Sequence, residues 1–278
     1  MSLESVETDA QLARLRELCA GARIDLLEAA LILSVLQRDQ RIDVAPLHQH
    51  VAAMSADLAD LVRRRGAQPE RLSEVIAASY GYRGDSATYD DLQNADVARV
   101  IERRKGLPVA LSILYLHVAR GQGWEADGLA FPGHFLIRVA IDGRHVLDPF
   151  NEGQVLEPAE LRGLLQRVLG PDADLDPEHF ATVADRDVLL RLENNVRLRL
   201  AKREDWRGAA RSLDRMLAIA PGRPELLFEA GQINARLDNR RAAISAFERF
   251  LATDSAKADP ALAARASALL QELRRGLN

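Results

Sequence analysis

Residues 103–153 read RRKGLPVALSILYLHVARGQGWEADGLAFPGHFLIRVAIDGRHVLDPFNEG, and the fold turns on how this stretch changes period. Gly106 ends one helix, and Pro108 sits in the first turn of the next, where proline's missing N–H costs nothing. Val109, Leu111, Ile113, Tyr115, Leu116 and Val118 give that helix apolar positions nearly all round, the pattern of a central buried helix. After Gly121 and Gly123 the period falls to two. Leu129–Phe131, His134–Ile141 and His145–Leu147 read as strands, with Asp142-Gly143 a hairpin signal between the last two. Phe135, Ile137, Val139 and Ile141 share the core face, and His134, Leu136, Arg138 and Ala140 share the other. A histidine, His134, thus precedes an aspartate, Asp148, on neighbouring strands. They read either as a strand cap after Pro132-Gly133 and a residue that opens a turn before Pro149, or as two members of a nucleophile–base–orienter triad whose third member would stand near the start of the helix. Leu107 and Pro108 stand there instead.

Before this stretch the sequence is helical. Asp9–Cys19, Asp25–Leu36 with Asp25 as N-cap, Leu47–Arg65 stopped by Gly66, Pro69–Ser79 and Leu92–Lys105 all repeat apolar residues at helical spacing. The cations Arg103, Arg104 and Lys105 suit the negative end of a helix dipole. His48 and His50, at i and i+2 on a helix, point in different directions and make no ligand pair. After it, Pro158–Leu169 reads as one more helix, and Gly170–Pro177 as a linker.

From about Asp185 the sequence repeats with a period of 34 residues. Val196 matches Ala230, Ala209 matches Ala243, Leu213 matches Phe247 and Met216 matches Phe250, with Pro221 closing the first unit. Gly231 takes the small position that Arg197 does not. This is the tetratricopeptide pattern, and Pro260–Leu273 would cap it. The first helices of the two repeats carry Asn194, Asn195, Arg197, Arg199 and Lys202, then Gln232, Asn234 and Arg236. Polar and basic groups at groove positions suit an acidic peptide or a carboxylate terminus. Asn194, Asn195, Arg199, Lys202 and Asn234 are the candidate binding residues.

Composition sets the outer bounds. The 278 residues suggest two domains, drawn at 1–180 (a helical stretch over 1–105 and a core over 106–180) and 181–278. A net charge of −4 argues against a nucleic-acid binder. One cysteine, Cys19, allows neither an internal disulfide nor a multi-cysteine metal site, and its place in a helix makes it a structural thiol. No metal or other cofactor is expected. No window has the length of a membrane span, and the acidic, polar N-terminus is no secretory signal. The expectation is a cytoplasmic protein with no membrane partner.

Taken together, Tyr89, Asp91, Asn94, the run ERRKGLPVALSILY (Glu102–Tyr115), FPGHFLIR (Phe131–Arg138) and DPFNEG (Asp148–Gly153), followed by the repeats, resemble the bacterial SirB family of transglutaminase-like proteins. The resemblance implies an α+β fold, mainly helical, with a papain-like core, a small antiparallel sheet and a C-terminal tetratricopeptide region. It also implies that the helix from Leu107 carries the nucleophile in active relatives, where a cysteine follows the glycine. The matching residue here is Pro108, or Leu107 with a shifted alignment, and neither side chain has a nucleophilic atom; Ser112 lies one turn beyond Pro108. The expected function is therefore a non-catalytic, protein-binding or regulatory module. The alternative is a cysteine-independent amide or peptide hydrolase with His134 as base and Asp148 as its partner. A two-residue hairpin at Asp142-Gly143 would put Asp148 on the face opposite His134, and a three-residue loop, with Gly143 left-handed, would put both on one face. The resemblance requires the second.

Overall fold

Proline, glycine and aspartate set most of the boundaries. The computed structural model describes residues 3–38 and 42–275. In chain order it contains α1 (Leu3–Leu18), α2 (Leu26–Gln37), α3 (Ala45–Arg65), α4 (Glu70–Ser73), β1 (Arg83–Gly84), α5 (Val97–Arg103), β2 (Lys105–Gly106) and α6 (Pro108–Gly121). There follow β3 (Glu125–Leu129), β4 (Leu136–Ala140), β5 (Arg144–Asp148), β6 (Gln154–Leu156), α7 (Pro158–Leu169) and β7 (Thr182–Val183). The remainder is α8 (Asp185–Lys202), α9 (Trp206–Ile219), α10 (Pro224–Arg236), α11 (Arg240–Leu251), α12 (Asp254–Ala258) and α13 (Pro260–Arg275). The fold is α+β and mainly helical, as the sequence indicates. Asp25 caps α2 through the Glu28 N–H, Gly66 caps α3, and Pro108, Pro158 and Pro224 open their helices.

Packing groups the chain into two units, Ala20–Leu192 and Met1–Cys19 with Glu193–Asn278. In the first unit α6 is buried along almost its whole length and packs against α2, α3 and α5 and along β3 and β4. The sheet has the order β6-β5-β4-β3-β7, and the pairs within it are antiparallel. Its other face is covered by α7, where Leu161, Leu164 and Leu165 meet Leu129, Leu136 and Leu156. Burying side chains of that size stabilises by about 1.5–3 kcal/mol each.

In the second unit α8 and α9, then α10 and α11, are the helix pairs of the repeats. Phe228, Phe247 and Phe250 form one aromatic cluster with Leu227, Ala266 and Leu270, and α1 packs on α9.

Several boundaries differ from the sequence reading, among them the strand read as His134–Ile141, which is β4 (Leu136–Ala140) and leaves His134 in the turn before it. The expected helix Leu92–Lys105 is a 3-10 turn, Leu92–Ala95, and then α5, because the Asp96 carboxylate accepts from Arg99 N and from Arg38 and so starts a new helix. The strand expected at Leu129–Phe131 lies earlier, as β3. The segment read as a linker from Gly170 to Pro177 runs into a 3-10 turn, Pro177–Phe180, and β7, which closes the edge of the sheet against β3.

Candidate functional site

The backbone leading into α6 is held by a small polar network. The Asp85 carboxylate accepts from Thr88 N (3.0 Å), Thr88 Oγ1 (2.7 Å) and Arg103 Nη2 (2.9 Å). Arg103 also donates to Asn94 Oδ1 (2.9 Å), the Asn94 amide donates to the Thr88 carbonyl (2.6 Å), and the Asn94 carbonyl accepts from Leu107 N (2.9 Å). Asp85 and Asn94 are buried, so each bond replaces one that water would have made. The Thr88 bonds and the Arg103 guanidinium hold the Asp85 carboxyl down to about 2 against the opposing effect of burial. In the sequence Arg103 reads as the charged end of a helix, and Asp85 carries no signal of its own. Only their contact across 18 residues reveals that they fix the first turn of α6.

That first turn has no nucleophile. Leu107 is buried in an extended conformation at the N-cap position, and Pro108 is the first helical residue. Ser112 is buried, and its hydroxyl donates to the Pro108 carbonyl (2.8 Å). Cys19 is buried at the end of α1 in the other unit.

The hairpin has the three-residue loop. Ala140 pairs with Arg144 and Ile137 with Leu147, so the register brings Leu136 opposite Asp148. The left-handed residue is Asp142 (φ 47°), with Gly143 at φ 137°, rather than Gly143 alone. His134 lies in the turn before β4, its N–H bonded to the Phe131 carbonyl. Burial pulls its imidazole below the ordinary range; the Asp148 carboxylate opposes that shift, and Arg167 on α7 adds to it. The two candidate residues are thus electrostatic neighbours, but among the described residues no hydrogen bond or ion pair joins them. Asp148 instead caps the turn that follows. Its Oδ1 accepts from Phe150 N (3.0 Å) and Asn151 N (3.4 Å), and its Oδ2 from Asn151 Nδ2 (2.6 Å). Beneath this turn Ser73 Oγ donates to the Gly153 carbonyl, and the buried Tyr115 hydroxyl is pushed up by its burial. Among the described residues no group of three or more histidine, cysteine or carboxylate side chains has the arrangement of a metal site.

On the repeats, Asn194 and Asn195 are half-buried and Lys202 is exposed. Arg199, 8% exposed, donates to the Asn195 carbonyl and side-chain oxygen (3.1 and 2.9 Å). Asn234 is also buried; it donates to Ala230 O and accepts from Asn239. Arg197 bonds Asn194 and pairs with Glu229, and Arg236 lies over the Trp206 ring. Arg199 and Asn234 therefore position their neighbours, whereas Asn195 and Lys202 face outward to a greater degree.

The sequence profile of the transglutaminase-like superfamily matches residues 44–194, and that of a tetratricopeptide repeat matches residues 196–271. A UPF0162 protein of Xylella fastidiosa (strain Temecula1) is 37% identical over 185 residues, 65% of this chain and 66% of that protein. The chain thus spans just under two-thirds of that relative. A UPF0162 protein of Vibrio cholerae is 29% identical over 233 residues, 82% of this chain and 86% of its own. F-box only protein 21 of Mus musculus is 28% identical over 171 residues, 57% of this chain and 26% of that protein.

Proposed function

Since the chain belongs to the transglutaminase-like superfamily and carries tetratricopeptide repeats, we propose that it is a non-catalytic member of the SirB type, a cytoplasmic module that binds a protein partner through its repeats. What supports the first half is the start of α6, where Leu107 and Pro108 occupy the place of a nucleophile and the nearby Ser112 hydroxyl is bonded to the Pro108 carbonyl. A hydrolase built on His134 and Asp148 would need the carboxylate to orient the imidazole. Asp148 commits its oxygens to Phe150 and Asn151. The two roles divide near residue 180, the inactive enzyme-like module lying within residues 1–180 and the binding module within 181–278, except that α1 packs with the repeats rather than with the enzyme-like module.

The partner we propose is acidic. Asn194, Asn195 and Lys202 would meet it, with Arg199 and Asn234 holding the surface in shape; charge-assisted bonds to carboxylates would supply the specificity. Reversing Arg199 would test folding more than binding, because that side chain is buried. Lys202→Glu is the cleaner variant. Fluorescence anisotropy of a glutamate-rich peptide with a free C-terminus, against its glutamine counterpart, should show binding by the full chain to the acidic peptide only. Binding should weaken as salt rises and fall about tenfold in Lys202→Glu. Equal binding of both peptides would remove the acidic-partner reading. A peptidase or acyl-transfer activity that disappears in His134→Ala would remove the non-catalytic one.

A further inference from the structure

A cleft of ≈ 390 Å³ opens between two elements of the unit Ala20–Leu192, β1 with the residues after it on one side and the turn after Asp148 on the other. Arg83, Gly84 and Ser86 line one wall, and Phe150, Asn151 and Glu152 the other. Its volume is within the range of small-molecule sites.

The two walls differ in chemistry. The first offers donors: the exposed Arg83 guanidinium and the Ser86 hydroxyl, neither with a hydrogen bond or ion pair from its side chain among the described residues. The nearest carboxylate in sequence, Asp85, is committed to Thr88 and Arg103. The second wall offers acceptors. The Asn151 amide nitrogen is engaged by Asp148 Oδ2, which leaves its Oδ1, and Glu152 has no hydrogen bond or ion pair from its carboxylate among the described residues. Arg83 and Glu152 line one cleft without pairing. An aromatic surface completes the lining: Phe150 packs edge-on to Tyr89 at 5.9 Å, and Tyr89 is 45% exposed. The Phe150 ring lies so close over Gly84 that a Cβ there would stand 2.6 Å from it, so glycine is what lets the aromatic wall approach the backbone.

We propose that this cleft binds a small zwitterion, a free α-amino acid with an apolar or aromatic side chain. Its carboxylate would be taken by Arg83 and Ser86, its ammonium by Glu152 and Asn151 Oδ1, and its side chain laid on Phe150. A cation at one wall and a carboxylate at the other select for a ligand with both charges, and a ligand with one charge leaves the opposite wall without a partner. The inference is independent of the repeats and of whether the unit retains any catalysis.

The test is a titration of the full-length protein, by calorimetry or NMR, with phenylalanine, N-acetylphenylalanine and phenylalaninamide as probes. Phenylalanine should bind with a Kd near millimolar or tighter, and each blocked form about tenfold more weakly. In Arg83→Gln the preference for the acid over the amide should vanish while that for the free amine survives; Glu152→Gln should do the reverse. Both residues are exposed, so both variants should fold, and unchanged circular dichroism checks it. Equal binding of all three probes, or no binding of phenylalanine at about 10 mM, would overturn the proposal, as would loss of both preferences in either variant.

Discussion

Asp85 shows how much one buried carboxylate can hold. Its four-residue network joins the turn after β1 and the end of α5 to the residues that open α6, and it works because the charged form is the bonded form. A carboxyl whose pKa is lowered on folding contributes stability above its unfolded value, which is lost as pH falls through the folded value. For Asp85 that window runs from about 4 down to about 2. Asp85→Asn should cost about 1–3 kcal/mol at neutral pH in urea unfolding, because Arg103 loses its charge partner, and should flatten the acid limb of the stability profile. His134 has the opposite chemistry with the same sign. Its pKa is lowered by burial, so the unfolded chain binds its proton first, and stability falls as pH drops below about 6.5. An NMR titration should place its midpoint below 6.5, and His134→Gln should remove its share of the slope. A midpoint above 6.5 would mean that Asp148, rather than burial, governs the imidazole.

At the scale of elements, much of the fold was legible. Helices opened by proline or aspartate and closed by glycine could be read from their ends, and the 34-residue repeat from four small or apolar pairs. The three-residue hairpin was not decided by the residues themselves; it needed the resemblance, and the structure has that register. What escaped was structure made by distant partners. Asp96 breaks the expected long helix with help from Arg38, 58 residues away, and β7 exists only because β3 offers an edge. For the candidate site, His134 and Asp148 could be picked out as types, and Asp148 before Pro149 could be read as opening a turn, but that this turn takes up both carboxylate oxygens leaves no periodic signature. Gly231 gives an element-scale prediction. A Cβ there would lie 2.6–2.7 Å from three atoms of the Phe247 ring, which is fully buried. Gly231→Ala gains up to about 1 kcal/mol in helix propensity, but overpacking of this kind costs about 1–3 kcal/mol. A net loss of about 1 kcal/mol in urea unfolding is expected, and a more stable variant would mean that α10 and α11 separate with little resistance.

At the scale of the whole molecule, the lone thiol is an internal reporter. Cys19 is 2% exposed, and a thiol kept from solvent is slow to meet a reagent. Ellman's reagent should modify it slowly in native buffer and fully in denaturant. The native rate should follow the opening of the unit that contains it, so a variant that loosens the repeats, such as Gly231→Ala, should speed the reaction. Fast modification of the native protein would place that unit's packing at the lower end of stability. The same unit is discontinuous in sequence: α1 packs on α9, yet the other unit's residues are threaded between them. On the ribosome α1 therefore emerges well before its partner. At about 5–20 residues per second, the roughly 190 intervening residues take about 10–40 s. Throughout that delay α1 is an orphan, dependent on a chaperone or on its own solubility, while everything between it and α9 has time to fold first.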